Sequence, residues 1–408
     1  MVNLDLAPIE EFSGFRDLVR THSAALSAQL QAYQTKMFPP HARKTIRNFS
    51  PAEAEKLFDC AEGYLRTIVS EMEKDDSLNF KVASGPGNRR VYSVEDIAKI
   101  RQYMDAGSRP AGRYLPHRRE GEELQIIAVM NFKGGSGKTT TSAHLAQYLA
   151  LRGYRVLAVD LDPQASLSAL FGSQPETDVG PNDTIYGAIR YDDERRPIQD
   201  IVRATYIPDL HLIPGNLELM EFEHATPMAL ANRVPGDKLF FARVSDALDE
   251  IADAYDVVVI DCPPQLGYLT LSALTAATSV LITVHPQMLD VMSMNQFLAM
   301  TSDLMDTIGE AGADDKQNWM RYLVTRFEPT DGPQHQMVAF LRSLFGANVM
   351  VNSMVKSTAV SDAGLTNQTL FEVDRSQFNR VTYDRALEAM NSVNHEIEGL
   401  IKKTWGRT

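Results

Sequence analysis

The chain has 408 residues, 44% of them hydrophobic, and two cysteines, Cys60 and Cys262. That content suits a large core and more than one domain, while the cysteine count and spacing exclude a disulfide framework and a thiolate-held metal cluster. A formal net charge of minus 13 excludes a chain that is basic throughout, yet residues 39–119 carry 15 Lys and Arg against 11 Asp and Glu, a balance of plus 4 that leaves minus 17 elsewhere. No apolar run has the length of a membrane span, and Met1-Val2-Asn3-Leu4-Asp5-Leu6 lacks the basic start and apolar stretch of a secretory signal, so a cytoplasmic protein is expected.

Residues 9–37 place Phe15, Leu18, Val19, Leu26, Leu30 and Tyr33 in the pattern of an amphipathic helix, packed on its own domain or on the same helix of a second subunit. The basic region comes next. Ser50-Pro51-Ala52-Glu53 is a capping box with proline in the first helical position, which starts a short helix to about Asp59. A break over residues 60–63 and a second helix from Tyr64 suggest a helix-turn-helix. Asn79-Phe80-Lys81-Val82, the tip Gly85-Pro86-Gly87-Asn88 and the basic return Arg89-Arg90-Val91-Tyr92 read as a β-hairpin; Ser93 to Asp96 cap a further helix with Ile97, Ile100 and Met104 on one face. Helix, turn, helix, wing, helix over residues 39–106 resembles a winged helix-turn-helix of the MerR-like kind. The resemblance implies major-groove contacts from Arg66 and Thr67, backbone or minor-groove contacts from Arg89 and Arg90, and phosphate contacts from Arg43, Lys44 and Arg47. A small helical domain with a solvated basic face would carry the same charges. Residues 107–123, rich in Gly, Pro, Arg and Glu, read as a linker to an ATPase domain over 124–408, with residues 1–38 as a separate arm.

The run Asn131-Phe132-Lys133-Gly134-Gly135-Ser136-Gly137-Lys138-Thr139-Thr140 lies between an apolar strand at 124–130 and an expected helix at 138–151. Glycines clear the way for several backbone N–H groups to meet a phosphate at a helix N-terminus, so ATP or GTP binding is expected. Lys138 would reach the β- and γ-phosphates, Gly134, Gly135, Ser136, Gly137 and Thr140 would complete the cradle, and Thr139 would give its hydroxyl to Mg²⁺. The usual first glycine is replaced by Phe132, and Lys133 is an extra lysine. That form resembles the deviant Walker A box of the ParA and MinD class of ATPases, which implies that Lys133 crosses to a partner's nucleotide and that hydrolysis depends on dimerisation.

Residues 155–161 read as a buried parallel strand that delivers Asp160 and Asp162 at its C-terminal end, where open α/β sheets bind ligands. Residues 256–260 read as a second such strand, delivering Asp261 before Cys262-Pro263-Pro264. These boxes resemble the switch I region and the Walker B and switch II region of partition ATPases. The resemblance implies that Asp162 orients the attacking water and that Asp160 and Asp261 serve the magnesium shell. Residues 279–284 and 322–326 are further candidate strands, each followed by a proline-containing break, and the fold expected is an α/β P-loop NTPase with a mostly parallel sheet flanked by helices. In this class the base lies near the ends of late strands, which makes Thr325 and Arg326 candidate adenine contacts.

Lys356-Ser357-Thr358-Ala359-Val360-Ser361-Asp362-Ala363-Gly364, Thr369-Leu370-Phe371-Glu372-Val373 and Arg326-Phe327-Glu328-Pro329-Thr330-Asp331-Gly332-Pro333-Gln334 resemble plasmid partition ATPases, most of all the RepA group of repABC replicons. The likeness spans nearly the whole chain, with residues 170–250 carried loosely. It implies an ATPase that segregates a low-copy plasmid or secondary chromosome. An ATP-sandwich dimer would bind DNA non-specifically on the nucleoid, with Lys356, Arg375 and Arg380 as candidate contacts, and a ParB-type partner would stimulate hydrolysis. The winged region would bind and repress its own operator. Two readings stay beside it: a MinD-type division-site ATPase, for which the tail at 400–405 has a faint amphipathic look, and an ATP-regulated repressor without a partition role.

Overall fold

The computed structural model describes residues 14–37, 44–61, 63–110, 112–234, 237–313 and 316–407. By contact the chain divides into Met1–Lys44 and Thr45–Thr408. In the first unit, α1 (Phe15–Met37) is the expected helix, with Phe15, Val19 and Leu26 exposed along it. Residues 9–13 and Arg43 lie outside the described residues.

The second unit begins with the basic region. Ser50 and Glu53 form the expected capping box on α2 (Pro51–Phe58), and Asp59 closes that helix in a left-handed conformation. The helix α3 (Tyr64–Lys74) follows and buries Leu65, Ile68, Val69 and Met72. The hairpin is shorter than its sequence suggests: β1 (Ala83–Ser84) pairs antiparallel with β2 (Arg90–Val91), and residues 79–82 are not strand. Its tip is closed by a turn at Pro86–Asn88, with the Gly85 N–H donated to the Arg89 carbonyl at 2.7 Å, so few residues remain to pair. The last helix of this region, α4 (Val94–Ala106), has Ser93 and Asp96 as a second capping box.

The rest is an α/β layer structure. In chain order come β3 (Gln125–Met130), α5 (Lys138–Leu151), β4 (Val156–Asp160), α6 (Ser166–Leu170), α7 (Pro175–Asp178), α8 (Tyr186–Ile189), β5 (Arg203–Ala204), β6 (Leu210–Ile213), α9 (Met220–Ala231), α10 (Arg243–Asp249), β7 (Val257–Asp261), α11 (Tyr268–Ala276), β8 (Ser279–Val284), α12 (Met288–Glu310), β9 (Trp319–Val324), α13 (Gly332–Phe345), α14 (Thr358–Leu365) and α15 (Arg380–Thr404). The seven strands lie in the order β5-β6-β4-β7-β3-β8-β9, all parallel except the β5 edge. Every residue of β3, β4, β7 and β8 is buried, as the near-continuous apolar runs require of strands covered on both faces.

One apolar core runs from Ile46, Phe58 and Ile100 of the basic region through Leu145 and Leu149 of α5 to Ile397 and Trp405. Its polar centre is Arg101 of α4, which is 4% exposed. The guanidinium donates to the carbonyls of Leu57, Leu151 and Tyr114 at 3.1, 2.7 and 3.0 Å, and burial pulls its pKa down to about 9. Gly153, at φ +93°, leaves room for it, since a Cβ there would lie 2.4 Å from Arg101 Cδ. The stretch expected to be a linker is held on both sides: Tyr114 is buried, Arg118 N–H bonds Asp256, and Arg407 bonds Glu122 and the carbonyls of Pro116 and His117. Among the described residues, no helix is long and apolar enough to cross a membrane.

Candidate functional site

The site is built at the C-terminal ends of β3, β4 and β7. After β3 the buried amide of Asn131 turns the chain: it donates to the Thr283 carbonyl and accepts from the Lys133 N–H at 3.1 Å. Gly135 and Gly137 take φ +75° and +87°, which only glycine adopts at little cost, and so bring the loop round to the first turn of α5. Gly137 gives α5 no side-chain cap, so the N–H groups of the first turn are left facing the loop. Ser136 is fixed from two sides, by its hydroxyl against Thr283 at 2.9 Å and by its carbonyl, which accepts from Thr325 at 2.7 Å.

Lys138 opens α5 and is 6% exposed. Burial lowers its pKa, and Asp261 and Asp162 pull it back up. The pairing register places Asp160 beside Asp261 on neighbouring strands, both fully buried. Asp160 accepts from the N–H and hydroxyl of Ser168 at 2.8 and 2.7 Å and from the Asp162 N–H at 3.2 Å, and burial followed by the Asp261 charge raises it to about 8. Asp261 is raised to about 7, chiefly by burial. Its Oδ1 accepts from the Ser142 hydroxyl at 3.0 Å and the Thr139 hydroxyl opposes the shift, while its buried Oδ2 has no hydrogen-bond partner among the described residues. A carboxylate oxygen left bare beside a threonine hydroxyl and a lysine suits a divalent cation. Among the described residues no cluster of three or more His, Cys, Asp or Glu could hold a metal. Asp162 stands half-buried on the following loop, its Oδ1 accepting from the Gln164 N–H at 2.9 Å.

Thr325 and Arg326 lie against the loop. Thr325 is 1% exposed and packs beneath Gly137, and Arg326, at φ +51°, donates to the Gly135 carbonyl at 3.2 Å; both prop the loop. Lys133 Nζ lies 2.8 Å from Asp290 of α12. Of the candidate DNA contacts, Arg66 and Thr67 on α3, Arg89 at the hairpin and Arg380 at the start of α15 face outward. The others are engaged within the chain: Arg47 with Glu53, Arg90 with Glu73, Lys356 with Glu328 and Arg375 with Asp384. Lys44 also has a partner.

Ser142, Ser168, Gly215, Thr283 and Asp290 escaped the sequence reading. Each acts by a contact made across the fold, and only Gly215 had a local signal, the Pro214-Gly215 pair that ends β6. A Cβ there would lie 3.0 Å from the carbonyls of Asp160 and Asp162.

A glycine-lined loop between a central parallel strand and a helix, with buried carboxylates on the adjacent strand ends, defines a P-loop nucleoside triphosphatase. Residues 124–311 match the AAA domain family. A Rhizobium rhizogenes protein with the provisional name replication protein A is 71% identical over 97% of this chain and 96% of its own length. The chromosome partitioning protein ParA of Myxococcus xanthus is 35% identical over 58% of this chain and 77% of its own. Among solved structures, one titled Partition Protein matches at TM-score 0.65 and 17% identity over 95% of this chain and 99% of its own. A complex of a Cyanothece McdA variant with ATP matches at TM-score 0.54 and 17% identity over 71% of this chain and 98% of its own. The chain belongs to the ParA-type partition ATPases, in the company of the relatives named replication protein A.

Proposed function

We propose that this ATPase is a DNA-segregation switch that hydrolyses ATP with Mg²⁺, pairs with a second copy in its ATP form, holds DNA non-specifically in that form and is stimulated by a ParB-type partner. The observation that carries the reading is the meeting of Lys138, the Thr139 hydroxyl and the bare Oδ2 of Asp261 at the mouth of the loop. Lys138 and the N–H groups of residues 134–140 hold the phosphates, Thr139 and Asp261 hold magnesium with Asp160 behind them, and Asp162 orients water. Bound magnesium supplies charge neutralisation at the transferred phosphoryl group. Lys133 acts on the nucleotide of the second copy. Thr325 and Arg326 support the loop, and whatever contact they make with the base is secondary to that.

Residues 39–106 form a winged reader that binds and represses the operator through Arg66, Thr67 and Arg89, with Arg43, Lys44, Arg47 and Arg90 supporting. Residues 1–38 are a dimerisation arm, 107–123 the join and 124–408 the ATPase. Arg380, together with Lys356 and Arg375 once their ion pairs open, supplies the non-specific DNA surface, which makes that binding steeply salt-dependent. The protein works in the cytoplasm on the nucleoid.

The test is a mobility shift with an operator fragment and with random DNA, each in ADP, ATP and a slow analogue. Arg66→Ala should lose the operator complex and keep ATP-dependent binding to random DNA. Lys133→Ala should keep nucleotide and lose ATP-dependent pairing and partner-stimulated turnover. A Lys133→Ala protein that pairs and turns over normally would remove the crossing lysine from the mechanism.

A further inference from the structure

Asp290 sits in the first turn of α12, and its side chain is 6% exposed. A carboxylate is favoured at that helix end, but burial demands a specific partner. One cation meets it, Lys133 Nζ at 2.8 Å; His285 Nδ1 lies further off at 4.0 Å, and burial lowers its pKa and so favours the neutral ring. The Lys133 amine is therefore drawn back along its own loop toward α12, with its backbone fixed by Asn131. The same lysine side chain is 41% exposed, so it can leave without unpacking the core.

We infer that Asp290 is a positioning residue that holds the Lys133 amine within its own protomer and thereby sets the protein concentration at which two copies pair. The inference rests on the reading that Lys133 acts in the second copy. Its physical content is a competition: the amine has to give up a charge-assisted hydrogen bond to a nearly buried carboxylate before it can serve another subunit's phosphates. Once it leaves, Asp290 keeps the favourable field of the helix end. The arrangement keeps single copies from presenting a free amine at the loop mouth, and pairing is then favoured only where phosphate attracts the amine more strongly than the carboxylate does.

The test uses full-length Asp290→Asn and Asp290→Ser, the second keeping a hydrogen-bonding group at the helix end should the first fold poorly, and Asp290→Glu as the conservative control. Sedimentation in a slow ATP analogue and partner-free turnover are followed against protein concentration. Both neutral variants should pair, and reach half-maximal turnover, at about a hundredfold lower concentration, about tenfold for the charge-assisted hydrogen bond lost in each of the two copies. Affinity for a fluorescent ATP analogue should stay as in the natural protein, and Glu should restore the natural threshold. An unchanged or higher pairing threshold in both neutral variants would overturn the inference. Lys133→Ala, run alongside, reports separately on the crossing lysine, because its failure to affect pairing would sink that reading whatever the Asp290 variants do.

Discussion

The two ends of α5 face opposite tasks with the same backbone chemistry. At the N-terminal end the first-turn N–H groups have no side-chain cap, two glycines hold left-handed angles, and a buried carboxylate oxygen of Asp261 lacks a hydrogen-bond partner among the described residues. At the C-terminal end the groups are filled. Arg101 reaches the carbonyls of Leu151 and Leu57, and Arg152 donates to Leu57 at 2.9 Å and pairs with Glu398 at 3.3 Å. Polar groups left open mark where a ligand belongs, whereas satisfied ones mark structure. The contrast also explains why a buried arginine can be tolerated beside a second one: helix C-termini and a carboxylate surround the pair.

The comparison can be broken most severely at the filled end. Arg101→Met leaves the carbonyls of Leu151 and Tyr114 buried without this donor, while Arg152 still serves Leu57, and should cost about 4 kcal/mol in urea unfolding while leaving ATP affinity of the surviving folded protein unchanged. At the open end the order reverses. Lys138→Ala should weaken binding of a fluorescent ATP analogue on the order of a hundredfold with little loss of stability, since the lysine carries a burial cost of its own. If Arg101→Met weakened nucleotide as much as Lys138→Ala does, the two ends would not be separate in function.

A smaller effect sharpens the middle of the helix. His144 is 3% exposed, its Nδ1 meets the Thr140 carbonyl at 2.7 Å and its Nε2 accepts from the Leu370 N–H at 3.1 Å, so the ring is held neutral. Burial lowers its pKa from 6.5 to about 4. A depressed folded value means the unfolded chain binds the proton first; the stabilisation is complete above 6.5 and is lost as pH falls toward 4. Between about pH 7 and pH 5 this should remove about 2 kcal/mol of unfolding free energy. His144→Gln should flatten that dependence in denaturant titrations, and an equally steep slope in the variant would assign it to other groups.

Much of the fold and of the site was legible in the residues. The loop at 131–140, the helix that begins at Lys138 and ends at Leu151, and the strand ends bearing Asp160, Asp162 and Asp261 all stand where spacing and apolar runs put them. The capping boxes at Ser50 and Ser93 start helices as read. What escaped was pairing between distant side chains. Lys133 meets a carboxylate 157 positions away, Thr325 donates to a loop carbonyl 189 positions back, and Arg47 and Arg90 are tied to Glu53 and Glu73. Residues 107–123 have the composition of a linker, yet Arg407 and Asp256 bind them down.

By itself the sequence determined the phosphate loop, the parallel sheet and the family, because these depend on local conformation and on periodicities that a single segment carries. Only the tertiary structure decided which cations are already taken, that the basic region shares one core with α5, and that Lys133 pairs with Asp290. Charge partners and shared cores are properties of elements brought together across the chain, and no window of sequence contains both halves.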